Sequence, residues 1–141
     1  MINKCKGFLL TALVAFIVVG CTNNDAVFKV VKKASEEMNK RCPMVIDADT
    51  RLDNTLATEN PVKLVYYYTV ITAEKKTVEA QLGPVKEAMK ANVQNMVNTN
   101  PEMKFYQDNQ IPLTYSYKDK NGAFLFDFTI TPKKPSKQAG K

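Results

Sequence analysis

Asp47, Asp49 and Asp53 form the one acidic cluster in this chain of 141 residues. Clustered carboxylates can hold calcium or act as the paired acid and base of a hydrolase. The spacing fits neither. Counted from Asp47, the sixth position of a calcium loop, which needs glycine, is Leu52, and the twelfth, which needs glutamate, is Thr58. No distant second acid is singled out as a hydrolase partner. Turn and cap duty after Pro43 is the plainer role, with Asp47 accepting backbone amides as the chain enters a strand. Cys42 is the other reactive candidate. Lys40 and Arg41 beside it favour a thiolate, but the end of a helix opposes that charge. No Cys-x-x-Cys is present, so a thiol buried in a helix–sheet seam is the expectation. The chain has no histidine, which removes Ser-His-Asp triads, histidine acid–base chemistry and histidine metal sites. Ser35, Ser116 and Ser136 lie outside any Gly-x-Ser-x-Gly turn, and no glycine-rich phosphate loop occurs. No catalytic residue, metal or cofactor is expected.

Cys21 is a different kind of reactive residue. Lys4 and Lys6 precede an apolar run from Phe8 to Val19, which Gly20 and Cys21 follow. A basic start, a short apolar middle and a small residue before the cut make a secretory signal peptide over residues 1–20. The run is too short for a hydrocarbon core, which takes about 20 helical residues. Val18-Val19-Gly20-Cys21 resembles the lipobox of bacterial lipoproteins, in which cleavage after glycine exposes a cysteine alkylated by diacylglycerol. The resemblance implies a membrane partner through lipidated Cys21, with residues 21–26 as a short tether. It also implies a bacterial envelope location, the outer membrane being favoured because Thr22 replaces a retention aspartate. With Cys5 removed and Cys21 acylated, Cys42 has no intramolecular partner.

What remains is one domain, residues 27–132, followed by a basic tail, residues 133–141, expected to be disordered. Net charge falls from +6 to about +4 when Lys4 and Lys6 leave. The excess sits in Lys29, Lys32, Lys33, Lys40 and Arg41 and in the tail lysines, where it can be a solvated face or touch anionic headgroups. No aromatic–basic motif points to nucleic acid, and an exported chain has little access to it.

Hydrophobic periodicity supplies the elements. Val27, Val30, Val31, Ala34 and Met38 have helical spacing, with Asp25 as N-cap and Pro43 as stop. Arg51 to Thr58 reads as a short strand with Leu52 and Leu56 on one face. Val62 to Thr72 places Leu64, Tyr66, Tyr68 and Val70 on one side and Val65, Tyr67, Thr69 and Ile71 on the other. A second helix starts near Pro84, carrying Val85, Met89, Val93, Met96 and Val97. Ile111 to Lys118 points Leu113, Tyr115 and Tyr117 inward. After a turn at Asp119-Lys120-Asn121-Gly122, Phe124, Phe126, Phe128 and Ile130 point inward and Leu125, Asp127 and Thr129 outward. Two helix-strand-strand units then predict an α+β fold, a four-stranded antiparallel sheet with two helices on one face.

The stretch Cys42-Pro43-Met44-Val45-Ile46-Asp47-Ala48-Asp49-Thr50-Arg51-Leu52, the Tyr66-Tyr67-Tyr68 strand and Tyr115-Ser116-Tyr117-Lys118-Asp119-Lys120-Asn121-Gly122 resemble an uncharacterised family of small exported bacterial lipoproteins. Its pattern runs Pro-x-x-Val/Ile-Asp-x-x-Thr-x-Leu, then Tyr-x-Tyr, then a Tyr-x-Tyr-x-Asp-x-x-Gly hairpin. A cysteine found on the second helix of such relatives has no counterpart near Val97. The resemblance implies an α+β fold and no activity, and the element order is similar to PepSY-like and β-lactamase-inhibitor-protein domains. The expected function is a lipid-anchored, non-catalytic module that binds a protein or glycan partner through Tyr67, Thr69, Thr114, Ser116, Leu125 and Asp127. The alternatives are an enzyme using Asp47 or Cys42, or an inhibitor presenting residues 73–83 or 100–110 as a protruding loop.

Overall fold

A computed structural model describes residues 23–135. The signal peptide, Gly20, Cys21 and residues 136–141 of the tail lie outside the described residues. Helix α1 spans Asn24–Asn39, strands β1 to β3 span Met44–Val45, Thr50–Glu59 and Val62–Val70, and helix α2 spans Lys75–Val78. Helix α3 covers Leu82–Thr99, α4 covers Lys104–Asp108, and β4 (Leu113–Asp119) and β5 (Phe124–Ile130) close the chain.

The sheet corrects the expected architecture. It has five strands in the order β1-β2-β3-β4-β5, and β3 and β4 run parallel while every other pair is antiparallel. The added strand is the two-residue β1, paired through Met44↔Leu52 and Val45↔Arg51. The parallel pair follows from the segment between β3 and β4, which carries α2, α3 and α4 and returns the chain to the edge from which β3 started. Residues 73–83 and 100–110, offered above as protruding loops, are mostly helical, and Val78, Met103, Phe105 and Tyr106 pack against the core.

One face of the sheet is apolar and takes both long helices. Across β2 to β5 its rows read Leu52, Tyr68, Tyr117, Phe126; then Thr55, Tyr66, Tyr115, Phe128; then Ala57, Leu64, Leu113, Ile130. Rings stack along these rows: Tyr66–Tyr115 at 5.0 Å, Tyr115–Phe128 at 5.3 Å and Tyr68–Tyr117 at 5.0 Å between centroids. Val31 from α1 and Val97 from α3 close this layer, both fully buried. Such rings bury large apolar areas at about 25 cal/mol per Å2, so this layer is the main stabilising element.

Two β-bulges set which side chains reach that layer. Register shifts between Leu52 and Asn54, and again opposite Tyr117/Lys118, where Lys118 pairs with Phe124 and Tyr117 with Phe126. An extra residue flips every later side chain to the other face. Leu52 and Leu56 therefore do not share a face: Leu52 is 3% exposed and Leu56 48%. Likewise Leu125 is buried and Phe124 is 54% exposed, the reverse of the alternation read from sequence.

Polar groups close the ends. Asn39 Nδ2 donates to the Thr55 carbonyl at 2.9 Å while its Oδ1 accepts the Thr55 amide at 2.7 Å, giving the β2 edge what a neighbouring strand would supply. Buried Ser35 Oγ lies 2.8 Å from Thr55 Oγ1. Gln107 Nε2 donates to the Val97 and Asn100 carbonyls at the end of α3. Asp25 falls inside the first turn of α1, correcting its assignment as N-cap. Gly122 takes φ 86° in the β4–β5 turn, where the hairpin needs a left-handed residue.

The bulge at Asp53 makes a discriminating prediction. Leu52→Ala is expected to lower stability by about 2–5 kcal/mol, and Leu56→Ala by less than about 1 kcal/mol. Urea unfolding of both variants measures the difference, and equal losses would show that β2 alternates without a bulge.

Candidate functional site

The opposite sheet face carries no helix among the described residues, since α1 packs on the inner side of β2 and β3 and α3 on that of β5. Its rows follow from the same registers: Arg51, Thr69, Lys118, Phe124; then Asn54, Tyr67, Ser116, Asp127; then Leu56, Val65, Thr114, Thr129. Five of the six residues expected on a binding surface, Tyr67, Thr69, Thr114, Ser116 and Asp127, stand on this face. Leu125 does not. The β5 bulge turns it inward, where it is 7% exposed, and Phe124 takes the outward place.

Thr69 is on the face but not open to solvent. It is 3% exposed, and its Oγ1 donates to Asp53 Oδ2 at 2.6 Å. Arg51 Nε donates to Asp53 Oδ1 at 2.7 Å, and Lys118 Nζ lies 3.1 Å from Oδ2. The bulge leaves Asp53 without a strand partner, so its carboxylate reaches the groups on β2, β3 and β4. Burial pushes the Asp53 pKa up, but hydrogen bonds from Thr69, Arg51 and Lys118 outweigh it and hold the carboxyl below the ordinary range. Asp53 thus accepts from donors on three strands and knits them together.

Beside this cluster lies a shallow groove of about 260 Å3 whose lining includes Asn54, Tyr67, Ser116, Lys118, Gly122 and Phe124, with Tyr68 and Tyr117 also contributing. Thr114 Oγ1 and Thr129 Oγ1 lie 2.8 Å apart further along the face. The groove therefore offers two aromatic rings, an amide, a hydroxyl and an ammonium, which together suit contact and hydrogen bonding. Sequence reasoning missed Phe124, Leu56, Asn54 and Lys118. The run Phe124-Leu125-Phe126 breaks strict alternation but does not by itself locate the bulge, since Leu64-Val65-Tyr66-Tyr67-Tyr68 on β3 runs in unbroken register with β4.

Asp47, Asp49 and Cys42 are not among the residues that line this groove. Asp47 Oδ1 accepts the Asp49 amide at 2.8 Å, and Asp49 Oδ1 accepts the Thr72 hydroxyl at 2.9 Å, so both serve the turn into β2. Burial, and then the Asp53 charge, push the half-buried Cys42 thiol up. On the inner face, burial lifts Tyr68 to about 12, burial and neighbouring tyrosines raise Tyr66 and Tyr115 further, and burial, Tyr68 and Asp47 raise Tyr117. All four rings are neutral packing groups at physiological pH. No group of three or more metal-ligating side chains occurs among the described residues.

Asp119 anchors the far end of β4. It is 3% exposed, its Oδ2 accepts the Lys75 amide at 2.9 Å, and its Oδ1 accepts the amides of Asn121 (2.9 Å) and Ala123 (2.8 Å). The Lys75 amide contributes most to holding the carboxyl below its ordinary pKa, and the remaining amides together with it outweigh burial. The carboxylate joins the start of α2 to the β4–β5 hairpin, a role its spacing from Gly122 alone did not disclose.

Comparison with known proteins places the chain. Residues 26–126 match the family model described as Domain of unknown function (DUF8479), and the chain belongs to that family. No curated protein matches it in sequence. A Pseudomonas aeruginosa protein described as secreted is similar in structure, with a TM-score of 0.61 at 15% identity, over 77% of this chain and 92% of that one. A pilotin from the type 2 secretion system of Vibrio vulnificus gives a TM-score of 0.58 at 7% identity, over 77% of this chain and 90% of that one. At these identities the likeness is one of fold.

Two predictions follow from the carboxylates and the thiol. The depressed carboxyls of Asp53 and Asp119 add stability above the unfolded pKa of about 3.9, and it is lost as pH falls towards their folded values. Asp119→Asn is therefore less stable than the parent at pH 7, and in urea titrations the gap starts to close only as the pH falls below about 4, towards the depressed folded pKa. A gap independent of pH would remove the charge from the argument. Cys42, with its raised pKa, is expected to react with iodoacetamide at pH 8 more slowly than a free cysteine, and alkylation at the free rate would return it to the reactive candidates.

Proposed function

We propose that this member of the DUF8479 family is an exported, lipid-anchored and non-catalytic module of the bacterial cell envelope. In this reading it is held to the membrane through Cys21 and engages a protein partner with its helix-free sheet face. One observation carries the binding reading: Phe124 is 54% and Leu56 48% exposed on a face that also presents Tyr67 and the groove beside it. Exposed apolar side chains set among polar groups mark interaction sites on soluble domains. Aromatic rings supply most of the contact energy in protein interfaces, and the Arg51–Asp53–Lys118 network keeps this floor rigid.

The anchor is read from Lys4, Lys6, the run Phe8–Val19 and Gly20-Cys21. Among the described residues no helix is long and apolar enough to cross a membrane. The fold likeness to a pilotin supports a protein over a glycan as partner, since that neighbour is named as belonging to a type 2 secretion system. The enzyme alternative draws least from the geometry, because Asp47 is spent on its turn and the Cys42 thiol is raised. The inhibitor alternative loses its protruding loops to the helices of residues 75–108.

Mass spectrometry of the membrane-extracted protein tests the anchor: diacylglyceryl on an N-terminal Cys21 is expected, and an intact Met1 would refute it. Cross-linking in envelope preparations, followed by purification of the anchored protein, tests the face. Phe124→Ala and Tyr67→Ala together are expected to reduce the cross-linked partner at least tenfold with the fold intact. Retention of the same partner by the double variant would exclude this face.

A further inference from the structure

Backbone hydrogen bonding can be followed residue by residue across the sheet until it stops at β5. The Leu64 amide donates to the Pro112 carbonyl at 3.1 Å, in the parallel pair that sets Leu64 beside Leu113. Thr114, Ser116 and Lys118 of β4 therefore bond towards β3, and Leu113, Tyr115 and Tyr117 bond towards β5. The partners of these last three are Ile130, Phe128 and Phe126, so Phe124, Asp127 and Thr129 turn N–H and C=O to the outer edge. β5 is the last strand of the sheet, and no strand or side chain bonds those groups among the described residues. Elsewhere side chains do what a neighbouring strand would do. At the far edge β1 is two residues long, and Asn39 takes the amide and the carbonyl of Thr55. Past β5 the outward row continues through Thr131 and Lys133. The Thr131 carbonyl accepts from Gln94 Nε2 at 3.2 Å, and the Lys133 amide donates to Asn98 Oδ1 at 2.9 Å. Side chains of α3 thus complete the edge beyond Ile130 and stop short of Thr129.

We propose that the outer edge of β5 receives an extended segment of a partner protein, which adds as a sixth strand and sets a basic side chain beside Asp127. The proposal rests on the reading of the helix-free face as protein-binding, because the added strand widens that face next to Phe124. An extended chain is what such an edge recognises, since it presents N–H and C=O groups at the matching spacing. Natural sheets blunt exposed edges with lysine, proline or a very short strand. β5 runs for seven residues, Phe124–Ile130, and has neither lysine nor proline. Its bulge interrupts the edge only between Phe124 and Asp127. The one charge of the strand is Asp127, which is exposed and ion-paired with no cation among the described residues. Charge chooses a partner over a second copy. Pairing two β5 strands brings two Asp127 carboxylates to one seam, whereas a lysine or arginine on a partner strand meets Asp127 with opposite sign. Phe124, 54% exposed, then offers its ring to an apolar side chain of the added strand.

The test follows backbone amide exchange in the isotope-labelled full protein, extracted in detergent, with the probe peptide acetyl-Thr-Val-Thr-Lys-Thr-Val-Thr-amide in excess. The peptide is expected to slow exchange at Asp127 and Thr129 about fivefold and to leave Phe126 and Phe128, already bonded to β4, unchanged. Its lysine-to-glutamate version is expected to bind about threefold more weakly, and Asp127→Lys to reverse that preference with the fold intact. Methylation of alternate backbone nitrogens of the peptide is expected to remove the protection. Slow exchange at Asp127 and Thr129 before peptide is added overturns the proposal, because the chain itself then covers the edge. Protection that rises with protein concentration also overturns it and assigns the edge to a second copy. A peptide that shifts the signals of Tyr67 and Phe124 but protects neither amide overturns strand addition and leaves the sheet face as the binding surface. A peptide that does neither overturns strand addition and counts against the face itself.

Discussion

The structure depends on one aromatic layer formed across a parallel strand pair. Tyr66 and Tyr68 on β3 stack against Tyr115 and Tyr117 on β4, and Phe128 and Phe126 on β5 extend each row. Because β3 and β4 are parallel and in register from Leu64↔Leu113 to Val70↔Asp119, the stacking can occur only if the chain crosses over between them. The segment that crosses supplies α3, and α3 covers the layer that made the crossover necessary. Residues 71–112 are therefore a structural requirement of the sheet, not an insertion into it.

The two bulges decide which side chains fill the core and which stand on the open face. At Asp53 the extra residue sends Leu52 inward and Leu56 outward, and frees a carboxylate to join Arg51, Thr69 and Lys118. At Leu125 the extra residue fills the core with Leu125 and Phe126 together and leaves Phe124 on the open face. The same local irregularity thus rigidifies one sheet face and equips it with an exposed ring. Donors hold both Asp53 and Asp119 below the ordinary carboxyl pKa, side chains around the one and backbone amides around the other.

Spatial separation of the ends gives the molecule a polarity. The start of α1 and the start of the tail share one cleft, whereas the turn of Asp47 and Asp49 meets the other ends of β2 and β3.

The sequence by itself determined the two long helices and the four long strands, the inward set Leu64, Tyr66, Tyr68, Leu113, Tyr115 and Tyr117, the turn at Gly122 and the absence of histidine chemistry. These are local properties of period and residue type. It did not determine the parallel pairing of β3 and β4, the fifth strand, or the faces of Leu56, Phe124 and Leu125. Strand direction is decided by where the intervening helices pack, and a bulge is decided by whether the partner strand can accept an extra residue. Neither is encoded within the segment itself. Asp53 makes the point most plainly: in the chain it is the third member of an acidic cluster, and only the fold separates it from Asp47 and Asp49 and gives it Arg51, Thr69 and Lys118.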